Sequence, residues 1–241
     1  MTLSFPKKSS GEIKELERKF YIHFSDLMVE MIKNFSISKN EMLKRYTFKN
    51  IELINKEEKK GKSTILILGH FSNWEGMLTI GSHLIGNAYG IYTPLTNKYF
   101  ENKMTKSREK YGSFLLSRYT TFDFIESMKN SKDYGLFGFI GDQSPKKESN
   151  SYMRTFMGVR VPVFTGAERI AKKYNFPVFY CQINRVKRGF YNAEIFALAN
   201  KPLEFKENEI TNLFFDRIEK QIKQNPSEYL WTHNRFKYMI K

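Results

Sequence analysis

The chain has 241 residues, of which 41% are hydrophobic and 16% aromatic, and its formal net charge is +15. This composition excludes a disordered chain, and the length is sufficient for a large hydrophobic core. The single cysteine, Cys181, excludes an intrachain disulfide and a cysteine-based metal site, so we expect a reducing compartment. There is no run of 18 apolar residues and no signal peptide, so any membrane contact is expected to be peripheral.

The positive charge favours an acidic partner, because a basic surface attracts anions over several ångströms in solution. Nucleic acid, an anionic membrane surface and an acidic carrier protein all meet this requirement. The chain lacks a nucleic-acid-binding motif with interleaved aromatic residues, so no nucleic acid is expected among its partners.

The N-terminal part of the chain predicts helices. Apolar residues at three- and four-residue spacing predict an amphipathic helix over 10–35, which Ser9 and Glu12 open as a capping box. Ser38 and Glu41 predict the start of a shorter second helix in the same way. We therefore expect residues 1–60 to form a helical N-terminal segment.

Strands and helices alternate after this segment. The predicted elements are, in chain order, a strand at 63–69, a helix at 73–85, a strand at 88–93, a helix at 97–111, a strand at 113–117, a helix opened by Thr120 or Thr121, a strand at 136–140, a helix at 165–174, strands at 177–186 and 190–198, and a helix at 208–224. Such alternation predicts an α/β fold with a mostly parallel mixed sheet flanked by helices. We expect one domain over 1–241, with its α/β core in 61–241.

The most informative residues are His70 and Glu75, which follow the apolar strand at 63–69. A histidine at the end of a buried strand, with a carboxylate five positions later, suits a general base and the acid that orients it. The ordinary pKa of histidine, about 6.5, matches a base that works near neutral pH. An offset of five does not align two side chains on a helix, so the chain has to turn between them.

The same residues allow a structural interpretation. Ser72 and Glu75 fit a capping box at the start of the helix predicted at 73–85.

A second polar strand end follows residues 136–140, where Asp142 and Gln143 occur. Ligands of parallel α/β sheets bind at the carboxyl ends of the strands, so His70 and Asp142 are expected to face one crevice.

Four segments, in this order, carry a family resemblance. They are His70 with Glu75; Gly141-Asp142-Gln143; Phe156, Gly158, Pro162, Gly166, Ile170 and Ala171; and Pro226, Tyr229, Trp231, His233, Arg235, Phe236 and Lys237. Together they resemble the lipid A late acyltransferases, the lauroyl and myristoyl transferases of Gram-negative outer-membrane assembly. These enzymes belong to the wider glycerophosphate acyltransferase group, so the resemblance implies a glycerophosphate-acyltransferase-like fold.

The resemblance implies transfer of a fatty acyl chain from acyl carrier protein to a hydroxyl of a lipid A precursor, at the cytoplasmic face of the bacterial inner membrane. His70 would take the proton of the attacking hydroxyl, and Glu75 would accept a hydrogen bond from the other ring nitrogen. The acyl carrier protein thioester is then a co-substrate, and neither a cofactor nor a metal is implied.

The resemblance also implies substrate-binding residues, each with a structural alternative. Arg118 is a candidate anion or oxyanion contact or a solvated arginine, and Asp142 and Gln143 bind the sugar or order a strand-end turn. Gly158 contributes through its backbone geometry, and Arg235 binds a phosphate of the acceptor or pairs with a carboxylate. The sequence assigns no role to His233.

Further expectations concern the membrane and the carrier protein. Residues 152–164 would line an acyl groove or lie at the bilayer surface, or else form a buried loop. Leu3-Ser4-Phe5-Pro6 resembles the region that follows the family's N-terminal membrane helix, which is absent here; either it precedes this chain or the protein has no anchor. Residues that would suit an acidic carrier protein are Lys146, Lys147, Lys172, Lys173, Arg185, Lys187 and Arg188.

Two alternatives remain open at this point. A glycerophosphate or lysophospholipid acyltransferase would use the same histidine, although that group more often has aspartate where this chain has Glu75. A non-catalytic basic protein that binds membranes would not depend on His70 at all.

Overall fold

The computed structural model describes residues 1–145 and 151–239. Its strands are β1 (Tyr46–Lys49), β2 (Thr64–Leu68), β3 (Asn87–Tyr92), β4 (Ser113–Ser117), β5 (Gly135–Ile140), β6 (Met153–Phe156), β7 (Val159–Pro162), β8 (Val178–Lys187) and β9 (Phe190–Ala199). Its α-helices are α1 (Ser10–Lys33), α2 (Lys39–Arg45), α3 (Glu52–Glu58), α4 (Lys98–Glu109), α5 (Thr121–Asn130), α6 (Gly166–Tyr174) and α7 (Glu209–Gln224). The 3₁₀ helices are Thr2–Ser4, Trp74–His83, Pro202–Glu204 and Pro226–Glu228.

Seven strands form one sheet in the order β1-β9-β8-β2-β5-β3-β4. All neighbours are parallel except β8 and β9, which form an antiparallel pair. This confirms the predicted α/β fold with a mostly parallel mixed sheet flanked by helices. Strands β6 and β7 form a separate antiparallel hairpin.

The two predicted helix starts near the N-terminus are confirmed. Ser9 and Glu12 form a complete capping box at the start of α1, and the Ser38 side chain accepts a hydrogen bond from the Glu41 amide at the start of α2. Local hydrogen bonds between residues three apart determine these starts, which is why the sequence alone reveals them.

Three elements differ from the sequence prediction. Residues 1–60 are not wholly helical, because β1 lies in this segment and pairs with β9 at the edge of the sheet. The helix predicted at 73–85 is the 3₁₀ helix Trp74–His83, and the β6–β7 hairpin was not predicted. Both missed strand regions have strands of four residues, too short for a clear alternation of apolar and polar side chains.

Strand β2 lies in the middle of the sheet and is buried along all five of its residues. Ile65 and Ile67 belong to the core beneath α6 and α7, whereas Leu66 and Leu68 belong to the core on the opposite face. A parallel strand covered on both faces is a continuous apolar run. The end of β2 is therefore a rigid position for the residues that follow it.

Gly69 ends this buried run, and its lack of a side chain leaves room for α7. A Cβ atom at Gly69 would lie 1.8 Å from Cδ1 of Ile218, which belongs to α7. Any larger residue immediately before His70 would therefore have to displace the buried side chain of Ile218.

Candidate active site

His70 and Asp142 meet because their strands are adjacent and in register. Strands β2 and β5 are parallel, with Leu68 opposite Ile140, so the residues two positions beyond each strand also lie side by side. His70 Nδ1 lies 2.7 Å from Asp142 Oδ1, and the His70 backbone N–H donates to the same oxygen at 3.1 Å. The predicted meeting of the two strand ends in one crevice therefore becomes a direct hydrogen bond.

The environment of Asp142 determines the tautomer of His70. Asp142 is 1% exposed; burial would raise its pKa, but the charge of His70 and the hydrogen bonds from His70 lower the pKa below the ordinary value. An ionised carboxylate only accepts hydrogen bonds, so Nδ1 carries a proton, and in the neutral imidazole Nε2 then keeps its lone pair. The Gln143 side-chain amide lies 3.2 Å from Nε2 and donates to it.

The predicted hydrogen bond between His70 and Glu75 is wrong. The Glu75 carboxylate instead accepts two hydrogen bonds from Arg108 of α4, at 2.9 Å from Nε and 2.7 Å from Nη2. Asp142 occupies the position on the imidazole that the sequence assigned to Glu75. The physical reason is that Glu75 begins a helix that packs beside α4, whereas Asp142 belongs to the strand next to β2.

The predicted capping box of Ser72 and Glu75 is also wrong. Asn73 is the N-cap of the 3₁₀ helix Trp74–His83, and its side-chain oxygen accepts from the Gly76 amide at 3.1 Å. Ser72 has a φ of +52°, and its amide donates to the carbonyl of Glu228 at 2.8 Å. The left-handed backbone at Ser72 reverses the chain direction between His70 and the helix.

Helix α1 supports this loop from outside. The Asn73 side chain donates to the Glu30 carboxylate at 2.7 Å, and the hydroxyl of Tyr191 on β9 donates to the same carboxylate. Burial raises the pKa of Glu30, while these two hydrogen bonds act in the opposite direction. The loop is thereby connected to both α1 and the sheet.

The C-terminal segment supports the loop from the other side. Phe71 and Tyr229 form an isolated antiparallel bridge, and the Leu230 amide donates to the carbonyl of His70 at 3.0 Å. The ring of Trp74 lies edge-on to the imidazole, with 5.2 Å between ring centroids. The His70 side chain is 15% exposed and therefore retains access to solvent.

The structure brings only Asp142 and Gln143, among the predicted substrate-binding residues, into contact with His70. Arg118 follows β4, three strands from β2, and its guanidinium lies over the rings of Tyr119 and Phe164. Gly158 has a φ of +82° in the exposed turn between β6 and β7. Strands β5 and β3 lie between the strand of His70 and that of Arg118.

Arg235 is buried, at 3% exposure, between the rings of Phe156 and Phe215. Its Nη1 donates to the hydroxyl of Ser144 at 3.0 Å and to the carbonyl of Pro162 at 3.1 Å. Burial lowers its pKa. Among the described residues its hydrogen-bond partners are this hydroxyl and this carbonyl rather than a carboxylate, and they support the loop that follows Asp142.

Most of the segment 152–164 forms the β6–β7 hairpin rather than a loop. Phe156 and Val161 of the hairpin are fully buried in the core, and Phe164, two residues after β7, is 37% exposed. The aromatic and apolar residues of this segment thus mainly fill the core, as its buried alternative predicted.

Several predicted carrier-binding cations have internal partners. Arg185 and Arg188 both pair with the buried carboxylate of Asp26, and Lys172 pairs with Glu168. Lys146 and Lys147 lie outside the residues that the structure describes. These three of the seven predicted cations are thus already paired with carboxylates of the chain.

Sequence reasoning missed Arg108, and it assigned no role to His233, which belongs to the fourth family segment. Arg108 lies near the end of the polar helix α4, where a basic residue needs no special explanation. His233 accepts a hydrogen bond at Nε2 from the Ser144 amide, at 3.2 Å. A signal for Arg108 existed only indirectly, since a buried Glu75 requires a cation.

Within residues 1–145 and 151–239, no group of three or more His, Cys, Asp or Glu side chains converges as metal ligands do. None of the helices in the same ranges combines the length and apolar character that crossing a bilayer requires.

The fold and the site together define an α/β protein with an imidazole held as a proton acceptor at the carboxyl edge of its sheet. The model of the family described as bacterial lipid A biosynthesis acyltransferase matches residues 1–238, and the chain belongs to this family. A search of individually curated proteins finds no significant match.

Proposed function

We propose that this protein transfers a fatty acyl chain from the thioester of acyl carrier protein to a hydroxyl of a lipid A precursor, with His70 as general base. The observation that carries the mechanism is the 2.7 Å hydrogen bond from His70 Nδ1 to the ionised Asp142, which leaves Nε2 as an acceptor. The family match supports the acyltransferase reaction and the lipid acceptor.

The reaction proceeds without a nucleophile from the enzyme. The acceptor hydroxyl attacks the thioester carbonyl carbon, its proton passes to His70 Nε2, and a new C–O bond forms as the carbonyl electrons move to oxygen. Collapse of this tetrahedral intermediate breaks the C–S bond, and the leaving thiolate takes the proton from the imidazolium. Asp142 stabilises the imidazolium between these two steps.

Gln143 has to move for this reaction. Its amide now donates to Nε2, the atom that must accept the proton of the acceptor hydroxyl. We assign the displaced amide to the acceptor, whose sugar oxygens offer hydrogen-bond acceptors. In this role Gln143 binds substrate only after the hydroxyl has replaced it at the imidazole.

The glutamate of the family motif acts indirectly in this proposal. Glu75 holds Arg108 through two hydrogen bonds, and the Arg108 side chain is only 23% exposed. The pair supports the start of the helix that packs beside His70. Glu75 is therefore a positioning residue rather than the orienting acid.

The membrane contact is proposed for the carboxyl edge of the sheet, facing the cytoplasmic side of the bacterial inner membrane. Tyr119 is 72% exposed there, and Arg118 lies between Tyr119 and Phe164 at 5.4 and 5.8 Å from the ring centroids. Exposed aromatic rings with an arginine suit the headgroup region of an anionic bilayer. Sedimentation with anionic vesicles should fall in Tyr119→Ser but not in Tyr21→Ser, since Tyr21 is 60% exposed on α1.

The donor is proposed from the net charge of +15 and the family resemblance. Acyl carrier proteins are acidic, so a basic enzyme attracts them at low ionic strength. The proposal predicts faster transfer from acyl carrier protein than from acyl coenzyme A, with an advantage that salt reduces. Equal rates with both donors at all salt concentrations would contradict it.

The decisive experiment is an acyl transfer assay with radiolabelled acyl carrier protein thioesters and a lipid A precursor, with lysophosphatidic acid as a parallel acceptor. His70→Ala should lose turnover by ~100-fold or more. His83→Ala is the matched control, because His83 packs on Phe48 and should leave turnover unchanged. Labelled phosphatidic acid would indicate a glycerolipid enzyme, and undiminished turnover in His70→Ala would exclude the proposed base.

A further inference from the structure

The loop that carries Asp142 and Gln143 is held by a distant part of the chain. The Ser144 amide donates to His233 Nε2 at 3.2 Å. The Ser144 hydroxyl donates to the carbonyl of Arg235 at 2.7 Å and accepts from its guanidinium at 3.0 Å. Three hydrogen bonds thus connect Ser144 to the C-terminal segment, next to the residue that contacts the imidazole.

We propose that His233 is a positioning residue of the active site, which holds the Ser144 amide and thereby keeps Asp142 and Gln143 against His70. The inference rests on the proposed function, because it assigns His233 a part in that reaction. His233 acts through Ser144 and takes no proton from the substrate.

The direction of the hydrogen bond restricts the state of His233. The Ser144 amide is a donor, so Nε2 of His233 must keep its lone pair and the ring must be neutral. Burial lowers the pKa of His233; the negative charge of Asp142 opposes this, and the charges of His70 and Arg235 add to the lowering. The ring is therefore suited to remain an acceptor at neutral pH.

The C-terminal segment that contains His233 also contacts the loop that carries His70. The amide of Leu230 donates to the carbonyl of His70, only a few residues before His233. One short stretch of chain thus sets the distance between the loop after β2 and the loop after β5. A shift of about 1 Å between base and orienting acid is expected to reduce turnover by ~100-fold.

Two substitutions separate the hydrogen bond from the volume of the side chain. His233→Phe keeps a ring but cannot accept, whereas His233→Gln offers an amide oxygen at a similar reach. We expect the Phe variant to lose kcat by ~10-fold or more with KM within about threefold, and the Gln variant to keep kcat within about threefold. Wild-type kcat in a folded Phe variant would overturn the proposal, as would a folded Gln variant that is as slow as the Phe variant.

A spectroscopic readout tests the geometry without turnover. The chain has 4 histidines, so selective ¹⁵N labelling of histidine gives a spectrum with few signals. The His70 Nδ1–H signal, shifted by its bond to Asp142, should persist in His233→Gln and weaken or move in His233→Phe. An identical signal in both folded variants would refute the positioning role.

The two proposals can fail separately. A wild-type protein that transfers no acyl group to any acceptor would refute the proposed function, while the NMR comparison would still decide whether His233 positions the pair. Thermal melts of both variants show whether they fold. If His233→Phe does not fold, the kcat and the His70 signal of His233→Gln decide the matter alone.

Discussion

Two carboxylates illustrate how distance along the chain and distance in space differ in this protein. Glu75 is five residues from His70, yet it is bound by Arg108. Asp142 is 72 residues away, yet it accepts a 2.7 Å hydrogen bond from the imidazole. The register of two neighbouring parallel strands, not the spacing of a short motif, determines which acid orients the histidine.

The two acids also differ in what their partners can do. In the proposed mechanism the partner of Asp142 is a base that gains and loses a proton, so the charge of Asp142 affects the chemistry at Nε2. The partner of Glu75 is a guanidinium that stays charged, so this pair mainly contributes to the structure of the helix start. Loss of each acid should therefore have a different main effect.

The largest expected effect is on turnover in Asp142→Asn. The amide can offer N–H groups to the imidazole and no longer stabilises an imidazolium, so kcat should fall by ~10³-fold or more. The measurement is single-turnover acyl transfer, with Glu75→Gln as the control and a smaller loss expected there. The comparison of the two acids would be reversed if Asp142→Asn kept its activity and Glu75→Gln lost it.

The next effect concerns stability. Glu75→Gln leaves a mostly buried Arg108 without its charged partner, which should cost about 3 kcal/mol of unfolding free energy. Urea unfolding at neutral pH measures this cost. The double variant Glu75→Gln/Arg108→Met should recover part of it; an unchanged midpoint in Glu75→Gln would show that the pair contributes nothing.

A pH effect tests the packing of α1 on the sheet, where His23 lies against Arg185 of β8. Burial lowers the pKa of His23 to about 4, with a further contribution from Arg185 and an opposing one from Asp26. Between pH 6.5 and 4 the unfolded chain takes up a proton that His23 in the folded protein does not bind, so the unfolding free energy falls as the pH drops, by about 3 kcal/mol. Thermal melts across this range should show a smaller decrease in His23→Gln than in the wild type, and identical decreases would contradict the assignment.

The smallest expected effect is that of Asn73→Ala. This change removes the helix cap and the hydrogen bond to Glu30, which together should cost about 1–2 kcal/mol. Turnover should fall far less than in Asp142→Asn, since Asn73 lies on the Glu75 side of the loop. A loss of kcat as large as that of Asp142→Asn would show that the two sides of the site are not separable.

Several features of the fold and of the site could be predicted because they depend on neighbours in the sequence. The capping box at Ser9 and the buried strand β2 follow from side chains within four residues of one another. The polar residues after two strands, His70 among them, indicated one crevice at the carboxyl edge, and the family resemblance added the acyl-transfer reaction. These predictions needed no knowledge of which strands are neighbours.

The sequence by itself thus determined the α/β class, the position of His70 after a buried strand and the family of the protein. The tertiary structure alone decided that Asp142 orients His70, that Arg108 binds Glu75, and that His233 reaches Ser144. The physical reason is that strand register and helix packing bring together residues that are 33 to 89 positions apart in the sequence. The periodicity of a sequence relates only residues a few positions apart.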